Sequence, residues 1–104
     1  MEFVSPSSWS EALAARAEHP AAVPIAGGTD VMVELNFDRI RPEGLIDLTR
    51  VTALRDWSRA DDGGVRLGAG VSFARVMSEL AGLAPGLAMA SRTVGSPQIR
   101  VRGT

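Results

Sequence analysis

Short apolar runs, broken by polar and glycine-rich stretches, divide the chain into alternating strand and helix signals. "EFVS" (Glu2 to Ser5) reads as a short strand that Pro6 ends. Ser8 follows with Glu11 three residues on, the pairing of a capping box, and Trp9, Ala12, Leu13 and Ala17 then share one helical face. Pro20 stops this helix near His19. "AVPIA" (Ala22 to Ala26) reads as a second strand, Gly27-Gly28 as a turn, Asp30 to Asn36 as a short helix, and "GLIDL" (Gly44 to Leu48) as a buried strand. Strands separated by helices predict parallel pairing, so the first half reads as a small α/β layer.

The second half changes rhythm. "ALRDWSRADDGGVRLGAG" holds two strand signals around Asp-Asp-Gly-Gly, a sequence that favours a hairpin turn because both residue types tolerate positive φ. Ser72 is placed to cap a helix whose Phe73, Val76, Met77 and Leu80 form an apolar stripe. "APGLAMASRTV" (Ala84 to Val94) reads as a further helix with Pro85 in its first turn. After it, Ile99 and Val101 alternate with arginines, which predicts the start of a strand with Arg100 and Arg102 on one face. The chain stops on Arg-Gly-Thr without a completed element, so it is expected to be a fragment or a truncated reading frame.

Composition narrows the chemistry. The 104 residues carry a net charge of −1 and are 45% hydrophobic, as for one small globular domain with a modest core. No apolar run is long enough to span a membrane, and "MEFVSPSSW" lacks the basic and apolar regions of a signal peptide. A cytoplasmic location is the expectation that remains. The absence of cysteine removes disulfides, thiolate chemistry and cysteine-held clusters from this chain. All 11 basic residues are arginine, so a phosphate-loop lysine and a Walker-type site are excluded. Near-neutral charge argues against a general nucleic-acid binder. The charge is uneven, however: no acid follows Glu79, while Arg92, Arg100 and Arg102 do.

Few residues present themselves for catalysis. His19 is the only histidine and sits at a helix end, where a cation suits the dipole. The acids Asp30, Asp47, Asp56 and Asp61-Asp62 show no spacing that pairs carboxylates for acid–base work. Trp9 and Trp57 read as packing residues. "LGAGVSF" places Gly68 and Gly70 between a strand and a helix, but Phe73 stands where a dinucleotide fingerprint needs its third glycine, leaving a tight connection as the plain reading. Gly27-Gly28-Thr29-Asp30 admits two readings. One is a strand-to-helix turn with Asp30 as cap. The other is a nest of backbone amides for an anion, approached without Cβ interference, with Thr29 adding a hydroxyl and the Asp30 carboxylate turned away from the anion to cap the helix.

Taken together, "PIAGGTDVMVELN" and "ASRTVGSPQIRVRGT" resemble the two signatures of the FAD-binding subunit of molybdenum hydroxylases, the medium subunits of xanthine dehydrogenase and carbon monoxide dehydrogenase. The resemblance is to the bacterial xanthine dehydrogenase type and runs the length of the chain. "EFVSPSSWSEALA", "GLIDLTRVTALRDW" and "VRLGAGVSFARVM" also fit, in order. In the second signature Ser96, Pro97, Ile99, Arg100, Gly103 and Thr104 match. Val101 stands where Asn is usual, and the Ile-Gly-Gly-Asn continuation lies beyond Thr104.

The resemblance implies an α+β chain, the N-terminal part of the two-subdomain FAD-binding fold shared with vanillyl-alcohol oxidase and p-cresol methylhydroxylase. Residues 1–52 would form the first subdomain and 53–104 the start of the second. Pro24, Ile25, Ala26, Gly27, Gly28, Thr29, Asp30 and Val31 would form the first FAD loop, with amides from Ala26 to Asp30 around the pyrophosphate. Thr104 would open the second loop, and Val94 matches a position near the flavin. The implied role is electron transfer through FAD, from iron-sulfur clusters on a small subunit to NAD or another acceptor, after substrate is hydroxylated at the molybdenum cofactor of a large subunit. The alternative is a non-enzymatic α/β remnant or docking module without flavin.

Overall fold

The computed structural model describes residues 2–104. Its first half is a three-stranded parallel sheet: β1 (Glu2–Val4), β2 (Val23–Ile25) and β3 (Gly44–Asp47), in the order β1-β3-β2. β3 is central because its Leu45-Ile46 pair is buried, Ile46 almost completely. Both neighbours run parallel to it, with Val4 and Pro24 each opposite Ile46. Pro24 is tolerated because β2 is an edge strand in this sheet.

The crossover from β1 to β2 is α1 (Trp9–Glu18). Ser8 caps it by accepting from the Glu11 amide, and the Glu11 carboxylate returns to the Ser7 amide and hydroxyl. The apolar face expected from the spacing is corrected. Ala12 and Ala15 are buried, while Trp9 is 50% and Leu13 54% exposed, and Ala17 also faces solvent. A helix lying this close over a small sheet leaves room for methyl groups, and the larger side chains rotate outward. Ala15, Ala22 and Ile46 form the core of this half, flanked by Val4 and Leu48.

After β2 comes α2 (Val31–Asn36), and after β3 a 3-10 helix (Thr52–Arg55) that the sequence pattern did not separate from the following strand. The second half opens with an antiparallel hairpin, β4 (Trp57–Arg59) and β5 (Val65–Leu67). Gly63 turns it at φ +86° and the Asp62 carboxylate accepts from the Gly64 amide. Helices α3 (Phe73–Glu79), α4 (Pro85–Ser91) and α5 (Pro97–Arg102) follow. Val71, Val76 and Leu80 form a second core, with Trp57 and Val65 against it. Trp57 thus packs as expected.

The strand expected around Ile99 and Val101 is instead α5. Ser96 accepts from the Ile99 amide, and Pro97 occupies the first helical turn. Both are helix-start signals that outweigh a short apolar alternation. The helix separates the two arginines. Arg100 donates to the carbonyls of Arg92, Val94 and Gly95, tying α5 to the preceding turn, whereas Arg102, in the same last turn, makes no such bond among the described residues.

Replacing Ile46 by Ala removes the largest side chain of the first core. A loss of about 2–5 kcal/mol is expected, read as a lowered denaturation midpoint at unchanged slope.

Candidate functional site

All three strands of the parallel sheet point their carboxyl ends to one edge, the side on which open α/β sheets hold ligands. Two loops emerge there side by side: Ala26 to Asp30 after β2, and Leu48 to Val51 after β3. The Leu48 amide donating to the Ile25 carbonyl joins them.

The first loop is shaped by its glycines. Gly28 has φ +79°, and a Cβ there would also meet Met32 Cγ at 3.1 Å. A Cβ on Gly27 would overlap the carbonyl oxygen of Arg102. The Gly-Gly pair therefore serves two demands, a left-handed turn and a backbone-on-backbone contact with the end of α5. Among the described residues, the amides of Gly27, Gly28, Thr29 and Asp30 donate no hydrogen bond within the protein. Asp30 sits at the cap position of α2, yet its carboxylate makes no capping bond. This corrects the expectation that Asp30 caps the helix. The four half-buried or exposed amides thus remain donors without a partner, in the pattern that suits an anion.

The second loop is fixed by Asp47. Partial burial works to raise its pKa. The amide and hydroxyl of Thr49 and the hydroxyl of Ser5 outweigh that and hold it below the ordinary carboxylate range. This bent turn carries Arg50 outward.

Between the two halves runs a groove of about 760 Å³. Its walls include Ala26 and Gly27 from the first loop, Thr49 and Arg50 from the second, Arg55, Gly70, Ser72 and Arg75 from the hairpin half, and Arg102 and Thr104 from the end of the chain. Among the described residues, four arginines line it and no Asp or Glu side chain does. Of the residues expected to bind a ligand, Ala26, Gly27 and Thr104 line this groove. Pro24 and Ile25 lie in β2 and position the loop; Gly28, Thr29, Asp30 and Val31 lie beside the groove rather than in its wall. Val94 is half-buried and bonded to Arg100, away from the wall. The sequence pattern did not single out Arg50, Arg55 or Arg75, because the fold rather than the spacing brings them together. Gly68 and Gly70 pack against the Leu54 carbonyl, in keeping with a tight connection.

One wall is braced. Arg75 contacts Glu79 at 2.7 Å and 3.1 Å and also donates to the Arg55 carbonyl, while the Trp57 indole donates to Glu79 at 3.0 Å. The Arg75 guanidinium, with the indole next, lowers the Glu79 pKa from 4.5 to about 2. Elsewhere, the His19 amide closes α1 on the Ala15 carbonyl, and its imidazole lies 3.2 Å from Glu2, outside the groove wall.

A parallel sheet whose carboxyl edge delivers a glycine loop to an arginine-lined groove places the chain among α+β domains with an anion-compatible ligand crevice. The sequence matches, over residues 1–104, the family described as FAD binding domain in molybdopterin dehydrogenase, and the chain belongs to that family. It is 30% identical over 93 residues to the xanthine dehydrogenase FAD-binding subunit of Escherichia coli O157:H7, covering 88% of this chain and 32% of that one. The fold superposes on quinoline 2-oxidoreductase from Pseudomonas putida 86 with a TM-score of 0.94 at 30% identity, covering all of this chain and 37% of that one. It superposes on carbon monoxide dehydrogenase from Hydrogenophaga pseudoflava with a TM-score of 0.92 at 31% identity, again over 37% of that chain. The chain thus spans about a third of the length of the relatives it matches. Among the described residues, no helix is long and apolar enough to cross a membrane.

Two outcomes follow from this geometry. Gly27→Ala must push the first loop off α5, with an expected cost of about 1–3 kcal/mol; Gly82→Ala, where a Cβ meets open space, is the control. The brace gives a pH signature. Glu79 has a depressed folded pKa, so its contribution is present above its ordinary 4.5 and is lost as pH falls toward about 2. Glu79→Gln should flatten the stability profile across that window, followed by denaturation at stepped pH.

Proposed function

We propose that this chain is the N-terminal part of an FAD-binding electron-transfer subunit of a molybdenum-containing hydroxylase, working in the cytoplasm. The observation that carries the reading is the run of unpartnered amides from Gly27 to Asp30, beside a groove lined by arginines and, among the described residues, by no Asp or Glu side chain. That donor set fits the pyrophosphate of a dinucleotide. Family membership and the xanthine dehydrogenase relative support FAD as the dinucleotide.

In this reading Gly27, Gly28, Thr29 and Asp30 give backbone hydrogen bonds to the pyrophosphate, and the Thr29 hydroxyl adds a donor. Ala26 and Thr104 would close the loop around it, and Pro24, Ile25 and Val31 would hold the loop between β2 and α2. Residues 1–52 would act as the first FAD-binding subdomain and 53–104 as the start of the second, in the vanillyl-alcohol oxidase type of arrangement. The separate cores of the two halves support that division. When bound, FAD supplies the redox chemistry. The chain's part is to bind, orient and tune, and this suits a groove without an acid–base pair. A molybdenum-cofactor large subunit and an iron-sulfur small subunit would feed electrons to this site, and NAD or another acceptor would take them away.

The protein is incubated with FAD, desalted and scanned in the visible. A retained flavin band is expected, and a colourless protein would overturn the claim that this chain holds flavin itself, leaving a docking module as the reading. Gly28→Val should lose most of that band, because a β-branched side chain at φ +79° strains the loop that presents the amides. Unchanged flavin retention in the folded variant would show that the loop is not the cradle.

A further inference from the structure

The amides account for hydrogen bonds to an anion but not for its charge. Of the four groove arginines, Arg75 is committed to Glu79 and to the Arg55 carbonyl. The other three differ. Among the described residues, Arg50, Arg55 and Arg102 form no salt bridge. Arg55 has one contact of 3.5 Å with the Thr49 carbonyl, at the outer limit of a hydrogen bond. Arg50 acts on Asp47 and Glu11 only through space, as a minor influence on both. A chain of net charge −1 thus gathers around one groove three arginines that make no ion-pair contact among the described residues.

We propose that Arg50, Arg55 and Arg102 are the charge-bearing ligands for the diphosphate of the nucleotide in this groove. The inference rests on the reading of the groove as the cofactor site and adds to it three side chains that neither glycine signature contains as a set. Their placement supports it. Arg50 leaves the turn at the carboxyl end of β3, Arg55 ends the 3-10 helix, and Arg102 ends α5 with its own carbonyl packed on Gly27. Three elements therefore bring positive charge to the mouth of the loop whose amides are unpartnered. Guanidinium forks match phosphate oxygens two at a time, and arginines from different walls suit two linked phosphates better than one. Arg59, on β4 and not in the groove wall, has no such part.

The test titrates the protein with two probes, FAD and ADP, at low and at raised salt, against Arg50→Gln, Arg55→Gln, Arg102→Gln and the control Arg59→Gln. Affinity for both probes is expected to fall steeply with salt and by about tenfold for each groove arginine removed, with Arg59→Gln unchanged. Arg55→Lys should retain part of the affinity, since charge survives and the fork does not. If FAD binds the native protein and all variants alike, or binds it without salt dependence, the arginine proposal is overturned while the flavin reading stands. If ADP binds in an arginine-dependent manner and FAD does not bind, the flavin reading fails and the diphosphate site remains. If neither probe binds the native protein, both fail. The native salt dependence decides the proposal even where a glutamine variant does not fold.

Discussion

The rest of the structure depends on one close approach, the backbone of Gly27 against the carbonyl of Arg102. Nothing larger than hydrogen fits on Gly27 at this contact. It links a loop from the parallel sheet with the last turn of a helix that belongs to the other half of the chain. The same end of α5 is held by the second half as well, because the Phe73 amide donates to the Gly103 carbonyl at 3.0 Å. The groove is the space that this joint leaves between two small cores. Each core is modest, three buried side chains with two half-buried neighbours. Relative placement of the halves must therefore rest on a few tight backbone contacts rather than on a wide apolar interface.

The electrostatic pattern follows from the same arrangement. Acids elsewhere are consumed locally: Asp47 in its own turn, Asp38 on Arg41, Glu79 on Arg75. At the carboxyl edge of the sheet, Asp47 is taken up by Ser5 and Thr49, and Asp30 stands beside the groove rather than in its wall. Arginine suits this setting because its charge cannot be removed at working pH and its fork can serve carbonyls and anions equally. Arg100 and Arg102 show the division. They lie two residues apart, yet one ties down three carbonyls while the other reaches the groove.

Much of the fold was legible in the sequence, for identifiable reasons. The parallel sheet followed from apolar runs alternating with capped helices, and Ser8, Ser72 and the Asp-Asp-Gly-Gly turn were found where local chemistry alone decides conformation. The family was legible because several segments matched in order, more specific than the Gly27-Gly28 pair alone. Other features were not legible. Ile99 and Val101 alternate like a strand, and only the Ser96-Pro97 start signal reveals the helix. On α1, spacing identified a face with Trp9 and Leu13, but the small sheet beneath admits only Ala12 and Ala15. The four groove arginines come from four separated segments, so no linear motif could have grouped them. The glycines of the first loop were legible as permissive residues, but the reason for Gly27 lies 75 positions away, at Arg102.

The brace around Glu79 shows how the second half takes part in a site whose obvious signature lies in the first. Trp57 belongs to the hairpin and packs on the core of Val71, Val76 and Leu80. Its indole holds Glu79, Glu79 holds Arg75, and Arg75 holds the carbonyl of Arg55. Packing in the second core is thereby transmitted through three polar contacts to the residue that carries Arg55 into the groove. Loosening any link removes one of the ties on Arg55 without touching the glycine loop. A ligand that needs both walls would then lose the charge from one side while keeping the amides of the other. The groove is thus built by the two halves together, and the glycine loop supplies only the part that a sequence signature can display.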